Sequence, residues 1–258
     1  SRSAASPLAA AAQNRMNSTN KLASVLQPGT SPLVTFRLLF MTGSADVPKG
    51  KEGLASLTAA MLAEGGSRAM TYNQIVEAMY PMASSFNWQS DKEMTVFSGT
   101  THVDNLEKYY GLLRDVLLDP GFRADDFARV RTDAVNFLKV SLREGNDEEL
   151  GKEYLYTLTY AGHPYEHHSM GRVSTLEKLT VEDVRDFYKK HYTRANLVLG
   201  LAGGYPAHFP ARVEADFAKL PAGTPAPKKI GQPKTTAGMK IDIVERETRA
   251  TAISLGFP

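Results

Sequence analysis

Apolar residues in this chain follow two spacings, and the switch from one to the other marks out its elements. Lys21–Gln27 and Leu33–Met41 read as strands on either side of a turn at Pro28-Gly29, and VTFRLLF is β-branched and aromatic enough for a central strand. The apolar run from Gly53 to the Gly65-Gly66 pair predicts a first helix that a glycine stop closes. Thr71 caps a second helix with Ile75, Val76, Met79 and Tyr80 on its apolar face and Pro81 near its end. Ser84–Ser90 and Met94–His102 alternate as the arms of a hairpin, with Asp91-Lys92 near the turn.

Helical spacing then returns. It covers Asn105–Leu118, where Asp119-Pro120-Gly121 ends it, then a long amphipathic stretch at Asp125–Arg143 and another at Glu148–Tyr160. After the loop GHPYEHHSMG comes a turn at Ser174–Lys178, then a helix capped by Thr180, with Asp183 completing a variant of the capping box. Leu197–Ala202 is strand-like, Ala211–Leu220 helical, and the proline-rich Pro221–Gly238 reads as a linker. Met239–Val244 and Ala250–Phe257 are expected to be late strands. This order predicts an α+β domain rather than alternating βαβ units.

Composition narrows the function classes. With 258 residues, 42% of them hydrophobic, the chain can bury one large core or two small ones. Thirty basic residues against 28 acidic leave a net charge of +2, which favours neither nucleic acid nor an anionic membrane surface. No run of 18 apolar residues exists, so no membrane span is expected, and the absence of cysteine removes disulfides and thiolate metal sites. Residues 1–20 are expected to form a disordered arm, or alternatively the remnant of an export leader. A leader would place the protein in the periplasm or outside a bacterial cell.

The candidate chemistry lies in GLASLTAAMLAEGG. The inverted zinc motif H-x-x-E-H sets two imidazoles four residues apart on one helix face, with a glutamate between them to activate metal-bound water. The frame fits, but the motif positions hold Ser56, Ala59 and Ala60. One hydroxyl and two methyls offer neither a good zinc ligand nor a base. The cluster of His163, Glu166, His167 and His168 reads as a solvated loop rather than a metal site. No nucleophile elbow, phosphate loop or dinucleotide fingerprint is present.

GLASLTAAMLAEGG, ASSFNWQSDKEMTVFSG, LLRDVLLDPGF, AGHPYEHHSMG and LTVEDVRDFYKKHYTRANLVLGLAGG together resemble the pitrilysin/insulinase family of zinc peptidases. They occur in order between about Lys21 and Phe257. The resemblance implies an antiparallel sheet with helices packed mainly on one face, over residues 21–248, with 249–258 as the first strand of a following unit. It also implies a glutamate ligand about 76–78 residues past the second histidine. Counted from Ala60, that falls on Asn136, Phe137 or Leu138, none of them a carboxylate.

Zinc is therefore the family's cofactor but is not expected here, and no catalytic or metal residue is assigned. In the resembling peptidases an edge strand takes the substrate as an added strand. This implies peptide binding at Ser84, Ser85, Phe86, Asn87 and Trp88, although Phe86 and Trp88 share the parity of core residues. The function expected is a non-catalytic half that completes a peptide-holding chamber. Its partner would be a related chain with an intact H-x-x-E-H motif, or its own second half, and its substrate a peptide or unfolded polypeptide. The alternatives are a structural or assembly protein, or a hydrolase acting through an unrecognised site.

Overall fold

β2 (Leu33–Phe40) alternates so cleanly between apolar and mixed positions that its placement decides the sheet. In the computed structural model, which describes residues 22–224, 230–235, 238–247 and 251–257, this strand is central. It pairs antiparallel with β4 (Thr95–His102) on one side and with β5 (Leu197–Gly203) on the other. β3 (Ser85–Ser90) closes the sheet at one edge, antiparallel to β4. β1 (Ala23–Pro28) closes the other edge, parallel to β5, giving the order β1-β5-β2-β4-β3. The expected α+β fold is present, antiparallel in three of its four strand pairings.

Val34, Phe36, Leu38 and Phe40 of β2 point to one face, joined there by Phe97 of β4 and by Leu197, Leu199 and Leu201 of β5, all buried. The helices pack on that face. They are α1 (Leu54–Glu64), α2 (Tyr72–Met79), α3 (Leu106–Leu118), α4 (Ala124–Asn136), α5 (Asp147–Thr159), the single-turn α6 (Val173–Leu176), α7 (Val181–His191) and α8 (Phe209–Phe217). Thr71 and Thr180 cap α2 and α7 as expected, each in a full capping box with Gln74 or Asp183. The one long helix read over Asp125–Arg143 is instead α4 continued as a π-helical stretch over Phe137–Leu142. A π-helical stretch widens the winding and often marks a functional site.

The two late strands do not form. Residues 239–246 and 251–257 have no regular structure, and Ala250 lies outside the described residues. A strand needs a neighbour for its backbone groups, and these segments have none among the described residues. Met239, Ile241, Ile243, Ile253, Leu255 and Phe257 are all exposed. The stretch is anchored by Arg246, which bonds Asp147 at 3.0 Å at the start of α5.

Beneath the sheet, Tyr109 of α3 is buried and its hydroxyl donates to the carbonyl of Ser85 at 2.8 Å. The ring reaches that carbonyl because Gly99 lies over it; a Cβ there would stand 1.7 Å from the Tyr109 oxygen. Gly99→Ala should lower the unfolding free energy by about 2 kcal/mol, the usual scale for overpacking a tight core. Adding Tyr109→Phe, which removes the clashing oxygen, should recover part of that loss. Urea midpoints of the wild type and the single and double variants test this, and equal midpoints for the single variant and wild type would refute it.

Candidate functional site

α1 is buried on every side. All residues from Leu54 to Ala63 are withdrawn from solvent, including the polar Ser56 and Thr58. Its entry is set by Gly53, in the left-handed region at φ +101, where a Cβ would stand 2.8 Å from the carbonyl of Met170. Gly171, at φ +89, answers it, since a Cβ there would lie 2.3 Å from the carbonyl of Glu52. The two glycines let the His163–Gly171 loop cross the start of α1 in backbone contact.

That loop is not the solvated segment expected from the sequence. His167 is only 8% exposed, and the loop is tied down along its length. Ser56 Oγ donates to the carbonyl of Ser169 at 2.6 Å, and Thr175 Oγ1 to the carbonyl of Glu52 at 2.6 Å. Tyr165 donates to Glu93 at 2.5 Å, and Arg172 pairs with Glu166 at 2.5 Å. The Phe137 ring lies 6.2 Å from the His168 ring. Ser56, at a position where the resemblance implies a zinc ligand, and Phe137, one of the three residues among which it implies another, both meet this short loop, with a hydroxyl and a phenyl ring.

The residues present do not fit a zinc ion. The Ser56 hydroxyl is committed to a carbonyl, Ala59 and Ala60 are buried methyls, Phe137 has no donor atom, Leu138 is fully buried, and Asn136 is exposed. The histidines are also committed: His163 Nε2 to the carbonyl of Gly231, His167 Nδ1 to that of His168, and His168 Nδ1 to the amide of Met170. Among the described residues, no three His, Asp or Glu side chains gather to hold a metal.

Lys92, which the sequence shows only as a residue near a hairpin turn, reaches into this region. Its Nζ donates to the carbonyl of His167 and lies 5.4 Å from the centre of the Tyr156 ring. Burial pushes its ammonium down to about 8, against the pull of the Asp91 and Glu153 carboxylates. Burial also raises the Glu153 carboxyl and lowers both His167 and His168. Glu153 Oε2 is buried with no hydrogen-bond partner among the described residues. No periodicity or motif could have revealed this cluster, because its members come from three distant segments.

The candidate peptide residues divide by parity. β3 is a sheet edge, so one flank of its backbone has no strand neighbour among the described residues. Ser85 and Asn87 are exposed, while Phe86 and Trp88 are half-buried on the helix side. Phe86 stacks on Phe97 at 5.6 Å, and Trp88 Nε1 donates to Glu64 Oε1 at 2.7 Å, fixing the edge to the end of α1. Ser84 precedes the strand and bonds Thr101 at 2.8 Å.

A family model described as Insulinase (Peptidase family M16) matches residues 24–172. The chain belongs to this peptidase family. A second model, for the M16 inactive domain, matches residues 178–258. An uncharacterized zinc protease of Rickettsia felis is 26% identical over 170 residues, which are 66% of this chain and 40% of that protein. The M16 inactive domain from Pseudomonas fluorescens superposes with a TM-score of 0.72 at 27% identity, over 82% of this chain and 51% of that one. The first half of the periplasmic protease PqqL from Escherichia coli shares the fold, with a TM-score of 0.71 at 18% identity over 84% of this chain and 48% of that one. The M16 chain thus spans well under two thirds of the length of these relatives. No helix among its described residues is long and apolar enough to cross a membrane.

The Lys92 cluster gives a signed pH response. Unfolded, Lys92 holds its proton up to its ordinary value near 10.5, whereas folded it releases it from about 8. Between those values the unfolded state binds more protons, so this group makes stability rise with pH. Lys92→Met should lose that rise. Urea midpoints from pH 7.5 to 9.5 should shift progressively in favour of the wild type, and parallel curves would refute the assignment.

Proposed function

We propose that this chain is a non-catalytic half of an M16 peptidase assembly, one that completes a peptide-holding chamber around a partner's metal site. The observation that carries this reading is the set of side chains at positions 56, 59 and 60, a committed hydroxyl and two methyls, with no carboxylate at 136, 137 or 138. Neither zinc nor a general base is available there, while the frame around them is intact. Closing a chamber needs shape rather than metal, so such a half retains its use after its ligands are gone.

The proposal assigns β3 a share in holding peptide. Its free backbone edge offers sequence-tolerant hydrogen bonds to an extended chain, as in β-strand addition. Trp88, anchored by Glu64, keeps that edge in a fixed position over α1. The partner would be a companion chain bearing an intact H-x-x-E-H helix.

Reconstitution tests the proposal. Produced together with an intact-motif relative from its own source, the chain should co-elute as a stoichiometric complex. Cleavage of unfolded peptides should exceed that of either chain alone by at least tenfold. A chain that stays separate from every such relative, or a mixture no faster than the intact chain alone, would refute it.

A further inference from the structure

A groove of about 470 Å³ lies between the turn that follows α3 and the helix α7. Leu118, Pro120, Phe122 and Tyr188 give it an apolar floor, and its charged lining sets Arg68, Arg185 and Lys189 against the single carboxylate of Asp119. Phe122 is held in the left-handed region at φ 43 although it is bulky and only 7% exposed. Such strain persists only where the surroundings enforce it, and it gathers at ligand clamps. Here the enforcement is visible. Arg185 Nη2 donates to the Phe122 carbonyl at 3.0 Å, and the Tyr188 ring meets that of Phe122 nearly edge-on at 5.5 Å. Arg123 donates to the carbonyls of Gly65 at 3.2 Å and Ser67 at 2.6 Å, and Ser67 is bridged to Pro120. Both walls are thus fixed before any ligand arrives, as in most binding sites.

We infer that this groove docks an acidic peptide segment of another polypeptide, with a carboxylate meeting Arg185 and Lys189 and a neighbouring apolar side chain lying on Phe122. The inference does not depend on the chamber reading, whose elements are α1 and β3. Charge selects the occupant. Arg68 is already answered by Asp119 at 2.9 Å. Arg185 meets a carboxylate, that of Glu182, only at 3.8 Å, and Lys189 has no ion-pair partner among the described residues. The two stand four residues apart on α7, where like charges oppose each other across one turn. One carboxylate between them answers both. A nucleic acid would call for a longer run of phosphate contacts than two cations provide. A bare phosphate would leave the apolar floor uncovered.

The test titrates the full chain into a dye-labelled, end-blocked peptide of three Leu-Glu repeats and follows fluorescence anisotropy. Binding should be saturable, should weaken as salt is raised, and should be about fivefold tighter than for Leu-Gln or Ser-Glu repeats, the scale of one exposed ion pair. Lys189→Glu should weaken it by about fivefold or more. Lys108→Glu, ten residues back from Leu118 along α3 and roughly 15 Å away, should leave it unchanged. Thermal midpoints equal to wild type separate lost docking from lost folding. Absence of saturable binding, or binding indifferent to Lys189→Glu, would overturn the inference. Equal binding of Ser-Glu repeats, or displacement by an equal concentration of inorganic phosphate, would overturn it by leaving a plain anion site. Tighter, Lys189-dependent binding of a single-stranded oligonucleotide would overturn it by assigning the groove to nucleic acid.

Discussion

Burial on all sides is the constraint that α1 imposes on this molecule. From Leu54 to Ala63 the helix lies between the sheet, its neighbouring helices and the loop that crosses its start, so each side chain must be small, apolar or internally bonded. Thr58 meets that demand by donating back to the carbonyl of Leu54 at 2.7 Å, and Ser56 by donating across to Ser169. Alanines meet it at 59 and 60. A buried unpaired imidazole or carboxylate at those positions would carry a desolvation penalty that only a partner or a metal could offset. Methyls and a satisfied hydroxyl are a stable way to fill so enclosed a helix.

The rest of the site follows from that packing. Gly53 and Gly171 bring the loop into backbone contact with the helix start, and the loop then gathers Phe137 and Lys92 around itself. The region ties the hairpin tip, α5 and α1 together through that loop. The neighbouring edge strand β3 has one backbone flank without a strand neighbour among the described residues, which is the flank the proposed peptide-holding role uses.

Much of this was legible in the residues. VTFRLLF announced a central strand, the two threonine caps announced α2 and α7, and the parity of Phe86 and Trp88 announced which way they face. The glycines and leucines around Ser56, Ala59 and Ala60 announced the helix α1 and its stop. What could not be read was anything that depends on a distant segment. The burial of His167 comes from the crossing of α1, and Lys92 joins that cluster from a hairpin tip. The late segments with Ile241, Ile243, Ile253 and Leu255 have strand-like alternation, but alternation specifies only a face and cannot supply the neighbouring strand.

The central claim is that α1 offers no place for a divalent ion, and zinc stoichiometry tests it most directly. The chain should be freed of metal, equilibrated with one equivalent of zinc, passed through a desalting column and assayed for bound metal, with an intact-motif relative as positive control. The account predicts far less than one zinc per chain, and no change in the little that remains when Ser56→Ala is introduced. One tightly held zinc per chain, lost in that variant, would contradict it.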